Sequence, residues 1–506
     1  MSRLPANGTV ALVCMPWQPL EAPSIQLGIL HALLARAGIA CRSHSLHLEL
    51  MAFLRSAGKD GGPLLTVGDY RVVGDFLFMH APGEWVFANP PVRRHDRRED
   101  RRYLRLLKQA GASNALVARL ERLRARIPEF VAARADDILA HEPAVVGFTT
   151  TLGQTVASLA LASALKARRP ELVTIFGGAG CEGVMGEALH RCYPFVDVVV
   201  RGEGEPVLET VVRAALAGEP IPALSGLCVR DPTGGTLALP VGARPPVAMD
   251  DTPPPDYDEY FERLYRLGLE HDVTPVLPYE SSRGCWWGQK SQCAFCGLNG
   301  ESMAFRSKSQ DRVVDELLDL SDRHRVLEVT VVDNILDQRY FDSALPRLAR
   351  AGLDLDLFYQ TKANLSIAHL GALRDAGVRR IRPGIESLST PQLRRMRKGV
   401  TALQNVRLLK WCAELGIRVA WNLLYGLPGE QAEESAAMAE LIPLLVHLDP
   451  PALSPLTLDR FSPYFANPEA FGIELRGAPG HQRVLHDVDD RTHSALAWTF
   501  DFRLAD

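Results

Sequence analysis

Strand and helix alternate along this chain in two long runs, and that order confines it to α/β architectures built on parallel sheets. The first run opens with the apolar stretch Val10-Ala-Leu-Val-Cys14, which reads as a buried strand. A helix follows from Ser24, because Ile25, Leu27, Ile29, Leu30, Leu33 and Leu34 share one broad face. The run resumes with a strand over 145–149, a helix over 157–168, strands over 172–176 and 196–200, a helix over 206–217 and a strand near 226–229. Residues 45–140 show no comparable strand signal and read as a helical insertion between the first and second strands of one sheet. Prolines at Pro245-Pro246 and Pro253-Pro-Pro255 mark a linker over 246–274. The second alternation spans 275–457, with strands expected at 275–281, 326–333, 354–360, 378–386 and 417–425. The expected organisation is a Rossmann-like domain over 1–245, a full or partial β/α barrel over 275–457, and an extension over 458–506 with weak periodicity.

Composition narrows the class further. Of 506 residues, 47% are hydrophobic and 23% charged, an ordinary globular balance, and the formal net charge of −4 gives no sign of a nucleic-acid or membrane-surface partner. Met1-Ser-Arg-Leu-Pro-Ala-Asn-Gly8 has no apolar signal core, and no run of about eighteen apolar residues is present to span a bilayer. The expectation is a cytoplasmic protein whose nine cysteines are reduced thiols or metal ligands.

Three of those cysteines, Cys285, Cys293 and Cys296, lie in the run Glu280-Ser-Ser-Arg-Gly-Cys-Trp-Trp-Gly-Gln-Lys-Ser-Gln-Cys-Ala-Phe-Cys-Gly-Leu-Asn-Gly300, directly after the first barrel strand. Active sites of β/α barrels form at the carboxyl ends of strands. A structural zinc site wants four ligands, and the nearest histidines, His271 and His324, are not at the usual spacings. Burial as three apolar cysteines conflicts with Gln289, Lys290 and the glycines of the run. The C-x7-C-x2-C pattern fits an iron–sulfur cluster with one iron open to a small molecule.

Motifs around these cysteines carry a resemblance. They are Ser281-Ser-Arg-Gly-Cys-Trp-Trp-Gly288, Cys293-Ala-Phe-Cys-Gly-Leu-Asn-Gly300, Phe305-Arg-Ser-Lys-Ser309, Val332-Asp-Asn-Ile-Leu336, Lys362-Ala-Asn-Leu365, Pro383-Gly-Ile-Glu-Ser-Leu-Ser389, Lys398-Gly-Val-Thr-Ala-Leu-Gln-Asn405, Trp421-Asn422 and Gly426-Leu-Pro-Gly-Glu430. The segment 279–464 resembles the radical S-adenosylmethionine (SAM) enzymes that carry an N-terminal cobalamin domain. More narrowly it looks like the group that modifies ribosomally made peptides, the RiPP maturation enzymes. The common spacing in radical enzymes is C-x3-C-x2-C, and the longer first loop here is a departure which the peptide-modifying group shares.

The resemblance implies that Cys285, Cys293 and Cys296 hold a 4Fe–4S cluster and that SAM chelates the fourth iron, to be cleaved to a 5′-deoxyadenosyl radical. It places Phe295 near the adenine, Asp333 and Asn334 near the methionine amino group, Lys362, Glu386 and Ser387 near the carboxylate and ribose, and Gly426 beside the adenosine. For Asp333 and Asn334 a loop hydrogen bond is an equal alternative. Trp286 and Trp287 either line a substrate channel or pack the loop over the cluster.

Cobalamin is expected at the strand ends of the N-terminal sheet: Trp17 and Ser24 around the first loop, Thr150, Thr151, Leu152, Gly153 and Gln154, Gly177, Gly178 and Ala179, and Gly202, Glu203, Gly204 and Glu205. The common cobalamin fingerprint is Asp-x-His-x-x-Gly, then Ser-x-Leu, then Gly-Gly. Thr150-Thr-Leu152 and Gly177-Gly178 match the last two elements, and the first is missing from this chain. A protein imidazole on cobalt is therefore not expected, and Trp17 or a neighbour is expected to cover its lower face. The alternative is a degenerate Rossmann domain without a cofactor.

The reaction these expectations favour is methylation of an unactivated carbon in a ribosomal precursor peptide, fed by an electron donor such as flavodoxin or ferredoxin, with no nucleic acid or membrane involved. Ring formation or cyclopropanation is the close variant and calls for a base, for which Tyr279, Glu280, Arg283 and Tyr359 are the candidates at strand ends or in the adjoining loop. A non-enzymatic cobalamin or metal sensor is the alternative of another class; zinc without turnover would support it. The arginine-dense run 93–102 reads as a solvated helix face balanced by Asp96, Glu99 and Asp100 ahead of a seat for an acidic leader peptide.

Overall fold

The computed structural model describes residues 9–55, 62–151, 153–242 and 245–505. The chain forms two compact units. The first holds residues up to Val247 with Thr252–Pro275 and Ala478–Trp498; the second holds Ala248–Asp251, Val276–Gly477 and the residues from Thr499 onward.

The first unit is built on one sheet of seven strands: β1 Thr9–Cys14, β2 Cys41–Ser45, β3 Pro143–Thr149, β4 Val173–Gly177, β5 Val198–Val200, β6 Leu227–Arg230 and β7 Thr236–Ala238. Their order is β2-β1-β3-β4-β5-β6-β7. β1 to β5 run parallel, and the doubly wound pattern expected of the alternation is present. The sheet finishes in an antiparallel β6–β7 edge, closed by a turn in which Asp231 Oδ1 accepts from Thr233 N at 2.8 Å and Gly235 N at 2.9 Å. β2 departs from the expectation, because it pairs with β1 and moves the helical insertion to between β2 and β3. Its sequence, Cys-Arg-Ser-His-Ser, is polar since it lies at an edge and only its last two residues are buried. Valines and leucines of β1, β3 and β5 meet helices Ile25–Arg36 and Glu205–Ala217 in one core that includes Leu12, Leu27, Val145, Val198 and Val211. Each such side chain contributes about 1.5–3 kcal/mol by burial.

Residues 246–274 do not form a free linker. Helix Asp258–Arg266 belongs to the first unit, where Glu259 accepts from Ser45 N at 3.1 Å and Ser45 Oγ at 2.7 Å, and Tyr260 donates to the Leu20 carbonyl at 2.7 Å. The C-terminal extension is also divided. Its piece Ala478–Trp498 returns to the first unit, where His486 Nδ1 meets the Tyr193 hydroxyl at 2.7 Å. There it also engages the arginine-dense run: Arg93 donates to the Arg483 carbonyl and Arg94 pairs with Asp487. Arg97, Arg98 and Arg102 remain exposed.

The second unit carries β8 Leu277–Tyr279, a short antiparallel pair β9 Ser282–Arg283 and β10 Arg306–Ser307, then β11 Glu328–Val331, β12 Asp356–Gln360, β13 Val378–Arg382 and β14 Arg418–Val419. β8 and β11 to β14 form one parallel sheet in the order β14-β13-β12-β11-β8. β15 Asn422–Tyr425 and β16 Ala452–Pro455 form a parallel pair, joined to the end of β13 through a bridge between Glu386 and Leu423. Helices Gln310–His324, Ala344–Ala351, Ile367–Asp375 and Ala402–Leu415 follow β10, β11, β12 and β13 in turn. This is a partial β/α barrel. Strands β17 Leu458–Asp459, β18 Ile473–Gly477 and β19 Thr499–Leu504 make a separate antiparallel sheet in the order β17-β19-β18. No helix among the described residues is long and apolar enough to cross a membrane.

Candidate functional site

The cysteine run begins where β8 ends. Cys285 is the N-cap of helix Trp286–Ser291, and its sulfur accepts from Gly288 N at 3.3 Å. Cys293 and Cys296 share a turn in which Cys296 N donates to the Cys293 carbonyl at 3.1 Å. The turn is clasped from two sides. Ala294 N donates to the Met396 carbonyl at 3.0 Å, and the Ala294 carbonyl accepts from Tyr464 N at 2.9 Å. Gln292 Nε2 reaches the carbonyls of Cys296 at 2.9 Å and Phe461 at 3.2 Å. At Gly297 any Cβ would lie 2.1 Å from the Arg460 carbonyl oxygen, so only glycine fits against the segment 459–464. Sequence reasoning missed this segment. Ser462-Pro463 is a legible helix start, but nothing local says what it packs on.

Trp286 and Trp287 are each anchored through the indole. Their indole N–H groups donate to the carbonyls of Leu336 at 3.0 Å and Arg397 at 3.1 Å. Over the Trp287 ring, at 3.5 Å from its centroid, stands the ammonium of Lys362, which donates to the Lys398 carbonyl. Burial and the neighbouring Lys398 push the Lys362 pKa down to about 8. Burial raises the Cys285 thiol and pushes Cys296 up to about 11. Metal coordination deprotonates such thiols outright.

Glu386 sits in a left-handed bend, φ 60°, just past β13. Asn405 Nδ2 braces that bend by donating to the carbonyls of Ile385 at 3.2 Å and Ser387 at 2.9 Å. A non-glycine residue held at positive φ marks strain supported by its surroundings, a common feature of functional sites. The Glu386 carboxylate lies 3.5 Å from Lys398 Nζ. Ser387 turns inward, donating to Gln392 Oε1 at 2.7 Å and accepting from Ser389 N at 2.9 Å, so it shapes the bend. Asp333 is likewise committed. It accepts from Ser281 N at 2.8 Å, Ser282 Oγ at 2.8 Å and Ser281 Oγ, and burial pushes its pKa up to about 7. Asn334 donates to Asn299 Oδ1 at 2.8 Å, tying the end of β11 to the cysteine run. Gly426 opens a turn whose N–H groups are held by Glu430 Oε2, at 2.7 Å from Gly426 N and 3.0 Å from Leu427 N.

The candidates for a general base are each engaged by their surroundings. Tyr279 is fully buried, donates to Glu316 Oε2 at 3.0 Å and lies under Lys308, so it faces the outer helix Gln310–His324. Tyr359 is also buried, and burial holds both phenols well above their ordinary pKa. Glu280 and Arg283 form a two-pronged pair at 2.8 and 2.9 Å, which neutralises the carboxylate.

In the first unit the strand ends close on one another. Thr150 Oγ1 donates to the Gly177 carbonyl at 3.0 Å and meets Cys181 Sγ at 3.3 Å. Gly178, at φ 102°, lets the two loops touch: a Cβ there would lie 2.6 Å from the Thr150 carbonyl oxygen. Ala179 begins the short turn that follows. Gln154 is buried, accepts from Thr151 N at 3.0 Å and donates to the Met15 carbonyl at 2.9 Å, joining the ends of β1 and β3. The Gly153 carbonyl accepts from Trp17 N at 3.2 Å. Leu152 lies outside the described residues. Ser24 caps helix Ile25–Arg36. Glu203 accepts from Val247 N at 2.9 Å, and Gly202 and Gly204 lead into the helix that starts at Glu205. Trp17 is wedged into the insertion. It stacks on Tyr70 at 5.0 Å, meets Phe87 edge-on at 6.4 Å and donates to the Tyr70 carbonyl at 3.2 Å, with 7% of its surface exposed.

Residues 279–442 match the radical SAM superfamily. The chain carries a radical SAM domain. An uncharacterized methyltransferase of Pyrococcus horikoshii is 26% identical over 302 residues, which is 58% of this chain and 63% of that protein. The solved structure of the cobalamin-dependent SAM radical enzyme OxsB with aqua-cobalamin bound superposes with a TM-score of 0.65 at 14% identity, covering 99% of this chain and 65% of that one. The radical SAM methyltransferase TsrM of Kitasatospora setae, solved with cobalamin and a 4Fe–4S cluster, gives 0.62 at 16% identity, covering 100% of this chain and 84% of that one. At these identities the likeness to solved structures is one of fold. The chain spans less than two thirds of the methyltransferase and of OxsB.

The cofactors of a radical SAM domain are a 4Fe–4S cluster and SAM, and the donor set here fits them. Three cysteines share one clasped loop, and the field of Lys398 acts on the sulfurs of all three. Among the described residues no three or more His, Cys, Asp or Glu side chains are gathered to share a single metal ion. A cluster does not need that, because each ligand takes a different iron.

Proposed function

We propose that this protein is a cobalamin-dependent radical SAM methyltransferase that acts on an unactivated carbon of a ribosomally made precursor peptide. The observation that carries the reading is the clasped triad of Cys285, Cys293 and Cys296 beside Lys398, Lys362 and Glu386, on a chain that shares its fold across 99% of its length with OxsB. When bound, the cluster and SAM supply a hydrogen-abstracting radical and cobalamin supplies a transferable methyl group. The protein's own residues position and exclude. Trp286, Trp287 and the segment 459–464 cover the cysteine loop, and Glu386 with the two lysines offers charge for the amino-acid end of SAM. The strand ends around Thr150, Gly178 and Gly202 offer backbone for an extended corrinoid tail. An electron donor such as flavodoxin or ferredoxin completes the system.

The buried Tyr279 and Tyr359 and the paired Glu280 favour a route without a general base, and so favour methyl transfer over ring formation. The peptide as substrate rests on the motif resemblance around the cysteines.

The test is anaerobic incubation of the reconstituted protein with cobalamin, reductant, SAM and the precursor peptide encoded beside its gene. Mass spectrometry follows the peptide and 5′-deoxyadenosine. A gain of about 14 Da per methyl, together with 5′-deoxyadenosine and S-adenosylhomocysteine, is the expected result. Deoxyadenosine with an unchanged peptide removes the peptide and keeps the radical chemistry. Zinc at the cysteines and no turnover removes the enzyme reading.

A further inference from the structure

A positive charge stands beside the cysteine loop, and its neighbours hold it in place. Lys398 has 12% of its side chain exposed. Its Nζ lies 3.5 Å from Glu386 Oε1 and 5.7 Å from the ring centroid of Phe295, the residue between Cys293 and Cys296. The bend at Gly384 closes on it so tightly that a Cβ there would sit 2.9 Å from Nζ. The turn that bears it is fixed at three points: Ala294 N on the Met396 carbonyl, Trp287 Nε1 on the Arg397 carbonyl and Lys362 on its own carbonyl.

We propose that Lys398 is a positioning residue for electron transfer, whose fixed ammonium sets the reduction potential of the cluster on Cys285, Cys293 and Cys296. This rests on the reading of those cysteines as cluster ligands. Three thiolates bring negative charge into a partly buried loop, and each added electron brings more. A cation held nearby in a medium of low dielectric favours the reduced form. Glu386 partly cancels the lysine's field, so the pair sets the potential together. A purely structural Lys398 would hold the Glu386 bend and leave the potential alone.

The full chain is reconstituted anaerobically without SAM, iron and sulfide are counted, and the midpoint potential is read by electron paramagnetic resonance during a redox titration. Lys398→Met is expected to lower the reduced-to-oxidised ratio at a fixed potential on the order of tenfold, about 59 mV for one electron. Lys398→Arg keeps the charge and stays close to wild type. Glu386→Gln moves the ratio the other way. A full cluster in Lys398→Met with the wild-type potential overturns the proposal. If that variant assembles no cluster, Glu386→Gln decides, and a potential that fails to rise overturns it. A wild-type protein that binds no four-iron cluster overturns the reading beneath, which the iron count reports separately.

Discussion

The two units finish their parallel strands in opposite ways. In the first, β3 and β4 end in backbone that touches backbone, with Gly178 against the Thr150 carbonyl and the Thr150 hydroxyl on the Gly177 carbonyl. In the second, the strand ends carry basic and acidic side chains, with Lys362 past β12 and Glu386 past β13, joined by Lys398 from the next turn. Close-set loops suit a large ligand recognised by shape along its length. Fixed charges suit a compact ion and a zwitterion. The two sets of strand ends are thus chemically distinct, and each can be altered without touching the residues of the other.

The largest expected effect breaks the charged half. Cys293→Ala removes one of the three proposed cluster ligands and should abolish deoxyadenosine formation, with cobalamin uptake retained. Uptake is read from the corrin absorbance that stays with the protein on gel filtration. Loss of both functions would show that the two halves are not separable.

Next in size is the matching break in the backbone half. Gly178→Val places a Cβ 2.6 Å from the Thr150 oxygen at a residue with φ 102°, a conformation that strains any other side chain by about 1–3 kcal/mol even before the clash. Cobalamin affinity should fall at least about tenfold, the equivalent of about 1.4 kcal/mol. Iron content should be unchanged. Wild-type affinity in this variant would remove the strand ends of the first unit from the cobalamin site.

Gly297→Ala sharpens the comparison from the other side. Its Cβ would lie 2.1 Å from the Arg460 carbonyl, so the clasp over the cysteine turn must shift. The expected outcome is a cluster that still assembles but bleaches severalfold faster in air, followed by its visible absorbance. A cluster as durable as wild type would mean that the segment 459–464 packs without protecting.

How much of this was readable beforehand follows the range of the interactions. The central strands and the cysteine run were legible because apolar runs, glycine breaks and cysteine spacing are local signals. β2 was not, because an edge strand facing solvent needs no apolar alternation, and Cys41-Arg-Ser-His-Ser45 has none. In sequence Asp333, Ser387 and Gln154 read as candidate ligand contacts at strand ends, and the structure shows them also serving as loop braces. A polar side chain at a strand end looks the same in sequence whichever partner it takes. The clasp at 459–464 and the Asn405 brace depend on which segments meet in space, and no window of the sequence records that.

The smallest effect concerns a feature that the two halves share. Each unit holds one buried carboxyl pushed up to about 7: Glu84, which accepts from Val156 N at 3.1 and 3.2 Å at the start of helix Thr155–Arg168, and Asp333 under Ser281 and Ser282. In both, burial is the main cause and the hydrogen bonds oppose it. The folded pKa lies above the unfolded one, so folding takes up a proton between the two values. The stability linked to that proton is full below about pH 4 and is lost as pH rises through about 7, at no more than about 1.4 kcal/mol per pH unit for each group. Glu84→Gln should flatten that decline for amides of the first unit alone, and Asp333→Asn for those of the second. Hydrogen exchange from pH 5 to 8, corrected for intrinsic rates, reads the two units separately. If either substitution flattens both, the loss of stability is shared by the whole chain, and the two kinds of strand end belong to one cooperative fold.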